Sequence, residues 1–133
     1  MKSKISLGDK KIFELSIGKR VLKKDLLNSD GQIPVYSANV ITPFGNLVKS
    51  NIQDFNHNYL LWGIDGNFML NIKKKGEIFA TTDHCGSLKI LSNKILPEYV
   101  LYELDLQGHI LGFDRSLRAS LKNMEAVEIT LPT

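Results

Sequence analysis

The sequence YLLWGIDGNFMLNIKKKGEIFATTDHCGSLKIL, residues 59–91, decides the fold class. Runs rich in strand-favouring residues occupy 59–62, 68–72, 77–81 and 87–91. The turn at 63–67 contains two glycines, which tolerate the positive φ of a tight reversal, and residues 73–76 form a second turn. This alternation predicts a β-meander. Its last turn is unusual, because the five small or polar residues Thr82-Asp83-His84-Cys85-Gly86 stand where two would suffice.

The same patterns predict short elements on both sides of this stretch. Further strands are expected at 12–17, 33–38, 47–52 and 127–131, and short helices at 21–27, from Pro97 onward, and from Ser120 through Met124. The helix after Pro97 has apolar residues at helical spacing, namely Tyr99, Val100, Leu101, Tyr102, Leu104, Leu106 and Ile110. Many short strands and few helices favour an α+β fold. We predict one domain, residues 1–133, of short, mostly antiparallel strands with a few short helices.

Size and composition limit the class of protein. A domain of 133 residues buries roughly 68–70% of its unfolded surface and needs no metal or disulfide to form a core. Cys85 is the only cysteine, which excludes an internal disulfide and a multi-cysteine zinc site. There is no apolar run of membrane-spanning length, and the start MKSKISLGDKK lacks the apolar core of a signal peptide. We expect a soluble cytoplasmic domain.

Positive charge is concentrated at the start of the chain. The net charge is +3, but residues 1–24 contain eight basic and two acidic side chains, a local charge of +6 that leaves −3 for the remainder. A basic segment on a slightly acidic body is typical of a surface that binds a polyanion. A lysine-rich surface that only aids solubility is the alternative interpretation.

Catalytic and metal-binding motifs are not matched by the spacing of the polar residues. A nuclease that presents two acids and a lysine on adjacent strands needs one acid, followed later by the pattern acid-x-Lys. Here Asp65 is followed by Glu77-Ile78-Phe79, with phenylalanine in place of the lysine. Asp83, His84 and Cys85 are adjacent, and successive strand side chains point to opposite faces. The three histidines, 57, 84 and 109, have no metal-binding helical spacing. We expect no catalytic residue and no metal, and the remaining hypothesis is a recognition module.

An ordered series of short motifs carries a resemblance to a known family. The motifs are Gly18-Lys19-Arg20, residues 33–39 (IPVYSAN), Pro43-Phe44-Gly45, residues 62–68 (WGIDGNF), residues 82–86 (TDHCG), residues 115–121 (RSLRASL) and Leu131-Pro132. In this order they resemble a target recognition domain of restriction-modification specificity subunits. The resemblance spans nearly the whole chain and is strongest to the form fused behind an adenine-N6 DNA methyltransferase.

The resemblance implies a function that the spacing of residues alone does not. Such domains read part of a double-stranded DNA target in the major groove and are not enzymes. A partner or fused methyltransferase binds S-adenosylmethionine and flips the adenine, so no cofactor is expected in this chain. In type I systems a motor subunit that restricts DNA is a further partner. No membrane partner is expected.

The chain departs from the family pattern in its extent. Type I specificity subunits carry two recognition domains separated by long helices, whereas this sequence stops at Leu131-Pro132-Thr133, where such a helix would begin. We therefore expect a single-domain fragment of a longer polypeptide or a half-sized subunit, with an incomplete docking surface for a methyltransferase.

Two groups of candidate DNA contacts follow from side-chain chemistry. Lysine and arginine suit phosphates, which position a protein without specifying sequence, and the candidates are Lys19, Arg20, Lys23, Lys24, Lys73, Lys74 and Lys75. Base edges need donors and acceptors on loops, and the candidates are Asn39, Asn46, Asp65, Asn67, Thr82, Asp83, His84, Arg115, Ser116, Arg118 and Ser120.

Each base-contact candidate has a plainer interpretation. Turn chemistry alone explains Asn46 and Asn67, and Asp83 is a candidate cap for the turn at Gly86. If 115–118 is a helical turn, Arg115 and Arg118 leave on one side. The competing interpretation pairs one of them with Asp114 or Glu125.

Two other classes of function stay open at this stage. One is an RNA-binding or protein-interaction module without preference for a duplex sequence. The other is a hydrolase that uses Asp83, His84 and Cys85.

Overall fold

The computed structural model describes residues 2–27, 31–114 and 116–132. Its strands are β1 (Lys2–Ser6), β2 (Phe13–Ile17), β3 (Ile33–Tyr36), β4 (Gly45–Leu47), β5 (Asn58–Gly63), β6 (Leu70–Lys73), β7 (Ala80–Thr81), β8 (Cys85–Ile90) and β9 (Glu128–Pro132). Its helices are α1 (Lys23–Leu27), α2 (Pro97–Leu111) and α3 (Leu121–Glu125). The predicted α+β class, with short and mostly antiparallel strands, is confirmed. None of the helices described is long and apolar enough to cross a membrane.

The central sheet contains four antiparallel strands in the order β2-β8-β5-β6. Strand β5 lies between two neighbours, and its run Tyr59-Leu60-Leu61-Trp62 is buried on both faces. A continuous apolar run is what a strand covered on both sides requires. The most hydrophobic part of the sequence is therefore the centre of the fold.

The predicted meander is wrong in one respect, because β7 does not join this sheet. It pairs in parallel with β3, through Val35 with Ala80 and Tyr36 with Thr81, in a separate sheet of order β4-β3-β7. The strand predicted at 77–81 is accordingly reduced to two residues. Phe79, just before it, is 1% exposed in the second hydrophobic cluster, which draws the chain away from the central sheet.

The two faces of the central sheet cover separate cores. On one face, Leu60, Trp62 and Leu88 pack in a cluster that includes residues of α2, α3 and β9. On the other face, Leu61 and Cys85 pack in a cluster with Tyr36, Val40, Tyr59 and Phe79. The alternation of side chains along each strand divides the apolar residues between these layers.

Helix α2 has the predicted start, but its buried face is narrower than the apolar stripe. Pro97 occupies the first turn, and Gly112 ends the helix with φ 77°, a left-handed conformation that favours glycine. Val100 and Leu104 are fully buried, whereas Tyr102 and Ile110 are about two-thirds exposed, at 68% and 67%. The packed face continues through Gly108, not through Ile110.

The closing strand was predicted at 127–131, but its partner was not. Strand β9 pairs along its whole length with β1, from Lys2 opposite Pro132 to Ser6 opposite Glu128. The strand predicted at 47–52 overlaps β4 only at Leu47. The sequence Asn28-Ser29-Asp30-Gly31 also predicts a turn, but only Gly31 of these four lies within the described residues.

Candidate functional site

Four loops meet at one end of the central sheet, which we call the loop end. Strands β2 and β5 finish there and β8 begins there, because Ile17 pairs with Gly86 and Gly63 pairs with Cys85. The segments that follow β2 and β5, and the turn before β8, therefore leave the sheet side by side. The fourth loop, 113–120, connects α2 to α3.

Main-chain hydrogen bonds hold three of these loops together. The Ile64 N–H donates to the His84 carbonyl at 3.1 Å, and the Ala119 N–H donates to the Ile64 carbonyl at 3.2 Å. The indole Nε1–H of Trp62 donates to the Ala119 carbonyl at 2.7 Å inside the core. The side chains that these loops present are thus placed by rigid elements.

The loop end presents a cluster of three charged or titratable side chains. Asp65 Oδ2 lies 2.6 Å from His84 Nδ1, and Asp65 Oδ1 lies 2.6 Å from Arg118 Nε. The hydrogen bond from His84, and then that from Arg118, lower the pKa of Asp65 against the opposing effect of burial. Asp65 is therefore ionised near neutral pH, and its two partners remain more than half exposed, at 53% and 57%.

The basic segment after β2 emerges beside this cluster. The Gly18 N–H donates to the Cys85 carbonyl at 3.2 Å, and a Cβ at Gly18 would lie 2.2 Å from the Thr81 carbonyl oxygen. Only glycine permits this close approach between the two chains. Lys19, Arg20, Lys23 and Lys24 follow it and are all exposed. Lys19 and Arg20 directly follow Gly18 and supply positive charge at the loop end, and Lys23 and Lys24 begin helix α1 a few residues later.

The structure separates the second basic group, 73–75, from the loop end. Lys73 pairs with Tyr59 near the opposite end of β5, about 14 Å from Gly63 at 3.4 Å per residue. Its side chain is buried, with Nζ donating to the Tyr36 hydroxyl at 2.7 Å and lying 4.3 Å from that ring's centroid. This location corrects the phosphate contact predicted for Lys73, because its ammonium group is buried and hydrogen-bonded within the protein.

Lys74 and Lys75 share this location but are exposed. The Lys74 ammonium forms an ion pair with Glu98 at the start of α2. Their predicted phosphate contacts stay predictions, but on a different surface from that of Lys19 and Arg20.

Several side chains that were predicted to contact bases make hydrogen bonds within the protein. Asn39 Oδ1 accepts from the N–H groups of Ile41 and Thr42, at 2.9 and 3.0 Å. Thr82 is 3% exposed, and its hydroxyl donates to Ser37 and accepts from the His84 N–H. Thr82 thus caps the turn that was assigned to Asp83, and the exposed Asp83 side chain lies 3.9 Å from His84 Nε2.

The loop after α2 does not form the helical turn that would place Arg115 and Arg118 on one side. Residues 116–120 are not helical, and helix α3 begins at Leu121 with the Ser120 hydroxyl accepting from the Asn123 N–H, as predicted. The Ser116 hydroxyl donates to Asp114 at 2.7 Å. Arg115 lies outside the described residues. Asp114 and Glu125, which are close in sequence, were considered as partners for Arg118. Its observed partner is Asp65.

The geometry around Cys85 does not suit a nucleophile. Cys85 is fully buried, and burial raises the pKa of its thiol to about 12. A nucleophilic cysteine instead needs a lowered pKa and access to solvent. Within the described ranges, no group of three or more His, Cys, Asp or Glu side chains is arranged to hold a metal ion.

Cys85 is expected to resist thiol reagents in the folded protein. An aromatic disulfide reagent at neutral pH should label the native chain at least about 100-fold more slowly than the chain unfolded in guanidinium, because the thiol is buried and protonated. Absorbance of the released thiolate follows the reaction. Native labelling as fast as that of the unfolded chain would reopen the hydrolase hypothesis.

Comparison with known proteins identifies relatives of the whole chain. The family model for the type I restriction modification DNA specificity domain matches residues 4–133. The specificity subunit of the type I restriction enzyme MpnII from Mycoplasma pneumoniae is 29% identical over 125 residues. The match covers 92% of this chain and 37% of that subunit.

Solved structures show the same fold at lower sequence identity. The S subunit of a type I restriction-modification system from M. genitalium superposes with a TM-score of 0.72 at 20% identity, covering 98% of this chain and 34% of that one. The HsdS subunit from Thermoanaerobacter tengcongensis also gives 0.72, at 12% identity, covering 98% and 33%. The chain therefore spans little more than a third of the length of these relatives.

Proposed function

The chain belongs to the type I restriction modification DNA specificity domain family, and from this membership we propose that it recognises a sequence in double-stranded DNA through its loop end. Recognition of this kind directs adenine methylation and restriction to a target. The observation that carries the proposal is the placement of exposed cations and exposed polar side chains on loops that leave the same end of one sheet.

The loop end contains the two kinds of contact that sequence-specific binding needs. Lys19, Arg20, Lys23 and Lys24 contact phosphates and set the position of the duplex. Base edges are read by exposed polar side chains of the turns, with Arg118 and His84 as the leading candidates. Asn67, Asp83 and Ser116 are exposed on the same loops and are secondary candidates.

The chemistry of modification belongs to partners in this proposal. A methyltransferase subunit or fused domain holds S-adenosylmethionine and flips the target adenine, and a motor subunit carries out restriction. The chain itself supplies no catalytic group and works in the cytoplasm. The buried Cys85 supports this non-catalytic role, because the only thiol of the chain is inaccessible.

Binding to duplex DNA is expected to depend on salt through the cations of the loop end. Replacing Lys19, Arg20 and Lys23 together by alanine should flatten the slope of log affinity against log salt by up to about 2.7, because each neutralised phosphate contributes about 0.9. Fluorescence anisotropy with a labelled duplex at four or more salt concentrations measures the slope. Duplexes should first be selected from a random library with the unmodified chain.

A second triple variant provides a control with the same loss of charge. Lys74, Lys75 and Lys94 are exposed, and Lys74 and Lys75 lie at the other end of the sheet. The proposal places the duplex at the loop end and not on the surface of Lys74 and Lys75, so their replacement by alanine should leave the slope unchanged. Flattening by this triple alone would instead support the phosphate contacts predicted for Lys74 and Lys75 from sequence. If both triple variants flatten the slope of log affinity against log salt equally, net charge alone attracts DNA. If the selection enriches no duplex sequence, or duplex RNA binds equally well, the proposed function is wrong.

A further inference from the structure

Resting on the proposed function, we propose that Asp65 is a positioning residue that aims Arg118 and His84 at adjacent base edges and does not itself contact a base. The position of Asp65 in the turn at 63–67 had suggested that this residue reads DNA directly. The geometry of its carboxylate points to a different role.

Both carboxylate oxygens of Asp65 are already occupied. One accepts from His84 Nδ1 and the other from Arg118 Nε, each at 2.6 Å. These are short, charge-assisted contacts between three different loops. Asp65 is also the least exposed member of the cluster, at 34% against 53% and 57% for its partners. It lies behind the two groups that it holds.

The contact through Nε fixes Arg118 while leaving its reading edge available. The guanidinium group has five N–H donors, and the four on its terminal nitrogens are not needed for the bond to Asp65. Two of these donors match the O6 and N7 acceptors of guanine in the major groove. A fixed fork loses less freedom on binding than a mobile side chain does.

The contact through Nδ1 fixes the chemistry of His84. A ring nitrogen that faces a carboxylate carries the proton, so Nε2 is the unprotonated acceptor in the neutral ring. Nε2 lies 3.9 Å from Asp83, beyond hydrogen-bonding distance. It is therefore suited to accept from the exocyclic amino group of cytosine or adenine. Asp65 thus holds the guanidinium donors of Arg118 and the acceptor Nε2 of His84 together in one cluster.

Substitution of Asp65 should change specificity and general affinity in opposite directions. Asp65→Asn removes a negative charge, so affinity for unrelated duplexes should rise. The two partners contact different carboxylate oxygens, and in asparagine one of these positions is an NH2 group that cannot accept a hydrogen bond. Preference for the selected duplex over single-base variants should therefore fall about tenfold, at two positions together. Asp65→Ala should have the same effect with a larger loss of preference.

A mutant cycle separates positioning from direct contact. In the background Arg118→Ala/His84→Ala, Asp65→Asn should cause no further loss of preference, because the residues through which it acts are gone. A direct base contact by Asp65 would instead relax one position of its own in both backgrounds. A purely structural role would lower binding to all duplexes alike. Either result would overturn the proposal.

A measurement without DNA distinguishes failure of this inference from failure of the proposed function. Nitrogen NMR of the free chain with ¹⁵N-labelled histidine should show neutral His84 protonated at Nδ1, and Asp65→Ala should reduce that tautomer. His57 provides an internal reference, since its Nδ1 faces Asp54 at 3.0 Å. Finding Nε2 protonated in the neutral His84 of the unmodified chain would overturn the inference whether or not the chain selects a DNA sequence.

Discussion

Replacing Trp62 by alanine is expected to lower the free energy of unfolding by about 3–5 kcal/mol, the cost of removing a large buried aromatic side chain. Trp62 is fully buried near the end of β5, and its indole N–H donates to the Ala119 carbonyl at 2.7 Å. The variant therefore loses both core packing and the link between the sheet and the loop after α2. Urea unfolding followed by circular dichroism measures the change.

Two further variants divide this effect into its parts. Trp62→Phe keeps an aromatic ring but leaves the Ala119 carbonyl without its donor, and should cost about 1–3 kcal/mol. Tyr102→Ala removes an aromatic side chain that is 68% exposed on α2, and should change stability by no more than about 0.5 kcal/mol. If Trp62→Ala costs no more than Tyr102→Ala, this account of the core is wrong.

Replacing Arg118 by alanine is expected to relax the recognised DNA sequence at one base pair. Loss of a bidentate contact with guanine costs about 1–3 kcal/mol, equivalent to about 5- to 150-fold in preference for that base. Affinity for duplexes that have a base other than guanine at that position should change little. Selection from a random duplex library with both proteins, followed by sequencing, measures preference at every position.

The control for this experiment removes a charge of the same sign from the same region. Lys23→Ala should weaken binding to all duplexes alike and leave the preferred sequence unchanged, because a phosphate contact carries no sequence information. Arg118→Lys keeps the charge but not the planar fork, so it should behave like Arg118→Ala in specificity. If Arg118→Ala weakens every duplex equally, Arg118 contacts a phosphate and not a base.

The parts of the fold that were predicted from sequence are those with local causes. Pro97 starts α2 and Ser120 caps α3, because each residue acts on backbone groups within one turn of itself. The apolar run of β5 likewise identified the buried centre of the sheet. In these segments propensity, capping and burial agree.

The parts that could not be predicted depend on pairing between distant segments. Neither the parallel pairing of β7 with β3 nor that of β1 with β9 has a local signal. The burial of Lys73 is a further example, because a run of three lysines is typical of a surface turn. Its ammonium group is accommodated by the hydroxyl of Tyr36, from another sheet, and by the carboxylate of Glu77, 3.7 Å away.

The candidate site shows the same division. Asp65, His84 and Arg118 were each selected for the chemistry of their side chains, but their contacts were not foreseen. They are brought together by the register of β5 against β8 and by the bond from Trp62 to the loop after α2. Sequence identified the chemical groups, and long-range packing determined their arrangement.

The pairing of β1 with β9 has a consequence for how such a domain can be exchanged between proteins. The two strands are antiparallel and register Lys2 against Pro132, so the chain enters and leaves the domain at nearly the same point, about 4.8 Å apart. In a polypeptide that continued beyond both strands, the flanking segments would lie next to each other and the domain would project from them. Recombination could then replace one such domain by another of different sequence without altering the spacing of the flanking segments.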